Sequence, residues 1–209
     1  MGRRGRIALK VSVWIVCLTP LAMLALRAWR DDLTANPISF ITNTLGDWTF
    51  RFLLASLALT PLRLVTGMAW QMSLRRLFGL FAFSYAATHF SVWIFLDHFF
   101  NWGQMGADIV KRPYITVGML ALTSLIPLAL TSTTGMIRRL GARNWKRLHR
   151  LVYLTAVCAA LHFLWLAKVG RTDQYVYAAI VALLLGIRLW DAARRAVQRR
   201  RPSALSPAS

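Results

Sequence analysis

A helix needs roughly 20 consecutive apolar residues to cross about 30 Å of hydrocarbon. This 209-residue chain offers six such stretches, at 9–28, 48–68, 76–99, 114–134, 147–168 and 175–195. They are continuous rather than alternating, which selects membrane helices over the strands of a membrane barrel. Pro20, Pro61 and Pro127 fall inside or near the ends of these runs, where membrane helices tolerate them. No internal repeat or second soluble unit interrupts the pattern. The expectation is an all-α, polytopic membrane protein: one transmembrane domain over 1–209, folded as a six-helix bundle, with 203–209 as a short disordered tail.

Charge then sets direction. Lys and Arg number 26 against 7 acids, all of them Asp, in a chain that is 57% hydrophobic. A nucleic-acid-binding domain would need those cations on a polar face, and disorder would need low hydrophobicity. Neither fits. With the N-terminus placed inside, 19 of the 26 cations fall on inner segments, and six of the seven Asp fall outside. The bias alternates loop by loop, as the positive-inside rule requires. Both termini are therefore expected on the inner, cytoplasmic side of the membrane. Arg3, Arg4, Arg6 and Lys10 before the first run resemble a signal-peptide start. The apolar run is long and the region near Arg27 lacks a small-residue cleavage site, so it reads as an uncleaved span.

Three of the four histidines lie within spans: His89 in the third, His149 and His162 in the fifth. An ionisable group at membrane depth is a functional candidate, although a lone neutral His bonded to a neighbouring helix is the commoner case. Three on two helices favour function. Both helices run from inside to outside, which puts His89 roughly 20 Å and His162 roughly 22 Å from their inner ends. Two imidazoles at one depth on facing helices form an axial pair for haem iron. His149 lies about 20 Å below His162, a rise that suits a second haem level, although thirteen residues turn an ideal helix about 140° away from the same face.

Competing chemistries lack their residues. A di-metal site would use Glu-x-x-His motifs, and the chain contains no Glu. Zinc hydrolases would need HExxH, and Cys17 and Cys158 read as small hydrophobes within apolar runs. His98 reads as an interfacial residue, and the Trp at span ends as an aromatic belt. The basic rim from Arg138 to Arg150 reads first as positive-inside anchoring and second as a docking site for a flavin phosphate or cytosolic flavoprotein. Lys111-Arg112-Pro113-Tyr114 reads as a helix start with Pro in the first turn, or as a contact for a periplasmic partner.

A set of motifs carries a family resemblance: Asp47-Trp48, Thr60-Pro61-Leu62-Arg63, Arg75-Arg76, Gly79-Leu80, Tyr85-Ala86 and His89, then Lys111-Arg112-Pro113-Tyr114-Ile115-Thr116-Val117-Gly118, Trp145, Leu148-His149-Arg150-Leu151-Val152-Tyr153 and His162. From Asp47 to about Trp190 the chain resembles the MsrQ (YedZ) family, the haem-binding membrane subunits of periplasmic methionine-sulfoxide reductase systems, within the ferric-reductase-like transmembrane superfamily. The resemblance implies a b-type cytochrome. It would carry electrons from the quinol pool or a cytosolic flavin reductase to a periplasmic molybdopterin-containing methionine-sulfoxide reductase subunit, for repair of oxidised envelope proteins. It implies haem b, one or two per chain, with His89 and His162 as axial ligands of one and His149 as a candidate for the other. It also implies FMN and a place among the lipids of the bacterial inner membrane; the placing of the charges, for its part, argues for no nucleic acid as a partner. The wider superfamily places two His on each of the third and fifth helices. Here the residue fourteen before His89 is Arg75. Either His149 binds a haem without the usual second His, or it serves a quinone or flavin site.

Two rival readings stand beside this one. One is a haem oxidoreductase of the same build, ferric-reductase-like or quinol-linked, with another acceptor. The other is a cofactor-free membrane anchor or transporter.

Overall fold

The computed structural model describes residues 2–68, 70–166 and 172–200. It contains eight α-helices and no strand among those residues: α1 (Arg3–Trp29), α2 (Pro37–Thr66), α3 (Met72–Val92), α4 (Trp102–Lys111), α5 (Pro113–Leu130), α6 (Thr134–Leu148), α7 (Leu151–Trp165) and α8 (Asp173–Arg200). A π-helical turn over Trp93–Asp97 extends α3. Five spans are individually long and apolar enough to cross a membrane: Ile7–Trp29, Pro37–Thr66, Met72–Asp97, Pro113–Leu130 and Asp173–Gln198. A sixth is reached when α6 and α7, bent 44° from each other, count as one broken span. The protein is an all-α, multi-pass membrane protein.

The boundaries differ from the sequence expectation in three instructive places. The second span begins at Pro37 rather than near 48, because Asn36 caps it: its side chain accepts from the Ser39 N–H at 3.1 Å, and Pro37 takes the first helical position. The fifth run splits, with residues 147–150 at the corner between α6 and α7 and the apolar helix beginning at Leu151. Residues 167–171, at the end of the expected fifth span, and the expected tail 203–209 lie outside the described residues. Two short helices, α4 and α6, occupy what read as loops. Asn101 caps α4 and Thr133 caps α6 through their side-chain oxygens. None of the α6 side chains is buried, and Arg138, Arg139, Arg143, Lys146 and Arg147 line it, which is the pattern of a helix lying at an interface.

The core is built by α2 against α3 and α5 against α7, with α8 closing on α7 and α2. Leu45, Leu53, Leu57, Phe81, Tyr85, Ala156 and Val181 share one apolar cluster. Ser124 on α5 and Thr155 on α7 share a buried hydrogen bond of 2.6 Å. Helix α1 is peripheral and mostly exposed within the chain. It is pinned where Pro20 weakens its own ladder. The Tyr85 hydroxyl of α3 inserts there, donating to the Cys17 carbonyl at 2.7 Å and accepting from the Leu21 N–H at 3.2 Å.

Candidate haem-ligand site

His89 on α3 and His162 on α7 meet in the interior. Their ring centres are 6.4 Å apart and their planes are nearly perpendicular, at 84°. Each ring is fixed from behind. His89 Nδ1 lies 2.9 Å from the Thr42 carbonyl of α2, and His162 Nδ1 lies 2.7 Å from the Tyr114 carbonyl of α5. A carbonyl only accepts, so each Nδ1 carries the proton and each Nε2 keeps a free lone pair. This is the backing that orients metal-binding histidines and raises their basicity.

With both Nδ1 atoms turned to carbonyls, His89 and His162 would be the residues to hold one metal ion through Nε2. The rings border a cavity of about 280 Å³ with walls that include Phe50, Leu53, Ala86, Phe90, Leu122, Leu125 and Phe163. Asn43, Asp47, Asp97 and Arg112 supply polar groups on the same lining. The apolar walls and the paired free nitrogens fit a flat, largely apolar metal macrocycle.

Two glycines make the close approach possible. A Cβ at Gly118 would stand 2.8 Å from His162 Nδ1, and one at Gly46 would stand 3.3 Å from His89 Cε1. No side chain fits at 118 without displacing the ring. Sequence reasoning missed this role, although a lone glycine inside the bulky run of α5 is the available signal. The Thr42 and Tyr114 carbonyls carried no signal, because any residue supplies one.

His149 does not join the pair. It caps the end of α6, stacks on Trp145 at 3.9 Å, and its Nε2 lies 3.0 Å from the Thr131 hydroxyl. That hydroxyl already donates to the Pro127 carbonyl at 2.6 Å, so Nε2–H donates to it and is committed. No group of three or more His, Cys, Asp or Glu is arranged around a metal site among the described residues.

His98, read from the sequence as an interfacial residue, is buried. Its Nε2 faces Asp108 Oδ2 at 3.2 Å, its Nδ1 faces the Trp93 carbonyl at 3.2 Å, and its ring packs on Trp93 at 4.5 Å. Asp108 in turn meets Arg112 at 3.4 Å. These contacts clamp α4 to the π turn, beside the end of the cavity that Trp93, Asp97 and Arg112 line.

Known proteins align with these features. A family model described as the ferric reductase like transmembrane component matches residues 45–160, a segment that includes His89 and His149. A Rhodospirillum rubrum protein named protein-methionine-sulfoxide reductase heme-binding subunit MsrQ is 50% identical over 201 residues, covering 96% of this chain and 95% of its own. Proteins of the same name from Ralstonia nicotianae and Caulobacter vibrioides are 45% and 44% identical, covering 88% of this chain in each case and 85% and 88% of their own.

Proposed function

The chain belongs to the ferric reductase like transmembrane family and groups there with the MsrQ proteins, and from that membership we propose that it is a haem b electron conduit, the membrane subunit of a methionine-sulfoxide reductase system. One observation carries the reading: two carbonyl-backed imidazoles, 6.4 Å apart, border an apolar cavity within the membrane bundle. His89 and His162 would hold the haem iron through Nε2. Bound there, the haem supplies one-electron redox chemistry that no side chain here offers.

The chain's own residues do the rest. Thr42 and Tyr114, through their carbonyls, keep both rings in the tautomer that presents Nε2. Phe50, Phe90 and Phe163 keep water away and the local dielectric low. Arg112, which lines the cavity and pairs with Asp108, would be the cation available to the carboxylates that a haem carries. The pair lies roughly 16 Å along α7 from Leu151 and roughly 25 Å along α3 from Met72, toward the face on which the cation bias puts the outside. That position suits delivery of electrons to a periplasmic, molybdopterin-containing partner that reduces methionine sulfoxide, in the bacterial inner membrane. The donor, on the opposite face, would be quinol or a cytosolic flavin reductase. An FMN carried by this chain would belong to that inner side as well.

Purified protein is expected to show reducible Soret and α bands at one haem or more per chain. His89→Ala and His162→Ala should each remove most of the signal of that pair. Normal spectra in both variants would overturn the assignment. Dithionite-reduced protein should be reoxidised by the partner subunit only when methionine sulfoxide is present.

A further inference from the structure

Arg143, Arg147, Arg150, Leu154, Val157 and Leu161 follow one another at intervals of three or four residues, the spacing that keeps side chains on one face of a helix. The face runs across the corner from α6 into α7. Both corner residues, His149 and Arg150, keep right-handed helical backbone, so the face carries on through the 44° bend. All six side chains are exposed within the chain, while Thr155, Ala156 and Ala160 between them are buried. The platform is fixed as well. The Trp145 indole N–H donates to the Thr131 carbonyl at 2.9 Å, and the Trp145 ring stacks on His149 at 3.9 Å, tying the end of α6 back to the end of α5.

The lower half of this face is cationic and the upper half apolar. With Leu151 as the foot of the apolar run, helical rise puts Arg150 and Arg147 roughly 2–6 Å below it and Arg143 roughly 12 Å below. A headgroup layer is about 5–8 Å thick. Two guanidiniums therefore stand in that layer, and the third lies within about a Debye length of it. Leu154, Val157 and Leu161 climb roughly 15 Å above Leu151, about the depth of one leaflet of the hydrocarbon core. The sequence has no acid between Asp108 and Asp173, whereas Arg195 of α8 is held by Asp191 at 2.6 Å. A bias in loop charge fixes only the side of the membrane on which cations lie. It does not require the cations and the exposed apolar residues above them to share one helical face.

We propose that this face binds an anionic phospholipid of the adjoining leaflet. The headgroup lies at Arg147 and Arg150 with Arg143 behind them, and an acyl chain follows Leu154, Val157 and Leu161. A zwitterionic lipid would satisfy the apolar half alone and leave three cations facing a headgroup of no net charge. A soluble acidic protein would meet the cations but not the three apolar residues, which stand at hydrocarbon depth.

Full-length wild type, Arg147→Gln/Arg150→Gln and Arg147→Lys/Arg150→Lys are extracted from membranes in mild detergent, and the phospholipids that stay with each chain are compared with the bulk membrane. Wild type is expected to be enriched in phosphatidylglycerol over phosphatidylethanolamine. The Gln pair should lose about fivefold of that enrichment for each cation removed, and the Lys pair should keep it. Lys111→Gln, at the other end of the bundle, should leave it unchanged. If the Gln pair fails to fold, wild type in nanodiscs decides. Backbone hydrogen exchange over 142–153 should slow when phosphatidylglycerol replaces phosphatidylcholine, and added salt should reverse the slowing. Equal enrichment in wild type and the Gln pair, or exchange indifferent to the headgroup, would overturn the site. Exchange slowed only by an added soluble flavin reductase would also overturn it, and would make the cations a protein-docking face.

Discussion

At position 118 a single hydrogen atom, in place of a methyl group, decides whether His162 can stand against Tyr114. A Cβ there would press on Nδ1 at 2.8 Å, so Gly118→Ala must displace the ring or break its bond to the carbonyl. Loss of such a backing bond typically lowers metal affinity about 10–100-fold, and haem titration of the apo-variant should show a fall of that order. Gly46→Ala meets His89 at 3.3 Å and should cost less, because a shift of a few tenths of an ångström relieves it. The reverse order of severity would contradict the geometry. His89 and His162 were legible in the sequence because imidazoles at membrane depth are rare and helix direction gave their depths. Arg188 was not. In sequence it counts as one more inner cation, and only the fold separates it from Arg194 and Arg195, by burying it with Nη2 donating to the Leu57 carbonyl.

At the level of elements, long apolar helices announce themselves and amphipathic ones do not. α6 is rich in arginine and lysine, and α4 is a ten-residue segment following Asn101. Neither has the apolar length by which a span is recognised, yet both are ordered by side-chain caps and tertiary contacts. The docking of α1 is the most testable of the element-scale contacts. Tyr85 is its hydrogen-bonding link to α3, bridging Cys17 and Leu21 beside Pro20. Tyr85→Phe should cost about 1 kcal/mol of bundle stability, read as a lower midpoint in detergent unfolding, with the haem spectrum unchanged. A spectrum that collapses with the variant would mean that α1 packing reaches the cofactor site. Asn101→Ala removes the α4 cap and should cost about 0.5–2 kcal/mol, seen as faster proteolysis at the turn after the π segment.

Across the whole molecule, an apolar bundle encloses the histidine pair, which is bounded by α2, α3, α5 and α7. The bias of 19 cations to one side predicts that both termini face the cytoplasm. A C-terminal fluorescent-protein fusion should therefore glow, and a C-terminal alkaline phosphatase fusion should be inactive. The opposite pattern would invert the membrane orientation and with it the proposed direction of electron flow. The class of fold could be read from the sequence because span length is a property of local composition. The corner between α6 and α7 could not, since it depends on where a basic segment leaves the membrane and an apolar one enters it.

The rings of His89 and His162 are buttressed by peptide carbonyls and not by side chains, and this shapes which sequences the site can tolerate. Thr42 and Tyr114 can drift to other residues without withdrawing the acceptor that each ring leans on, as long as the helix backbone stays in place. Thr42→Val should leave haem content unchanged, in contrast to Gly118→Ala on the opposite wall. The demand this pocket makes is therefore for empty space more than for chemistry: beyond the two histidines, it needs the room beside them.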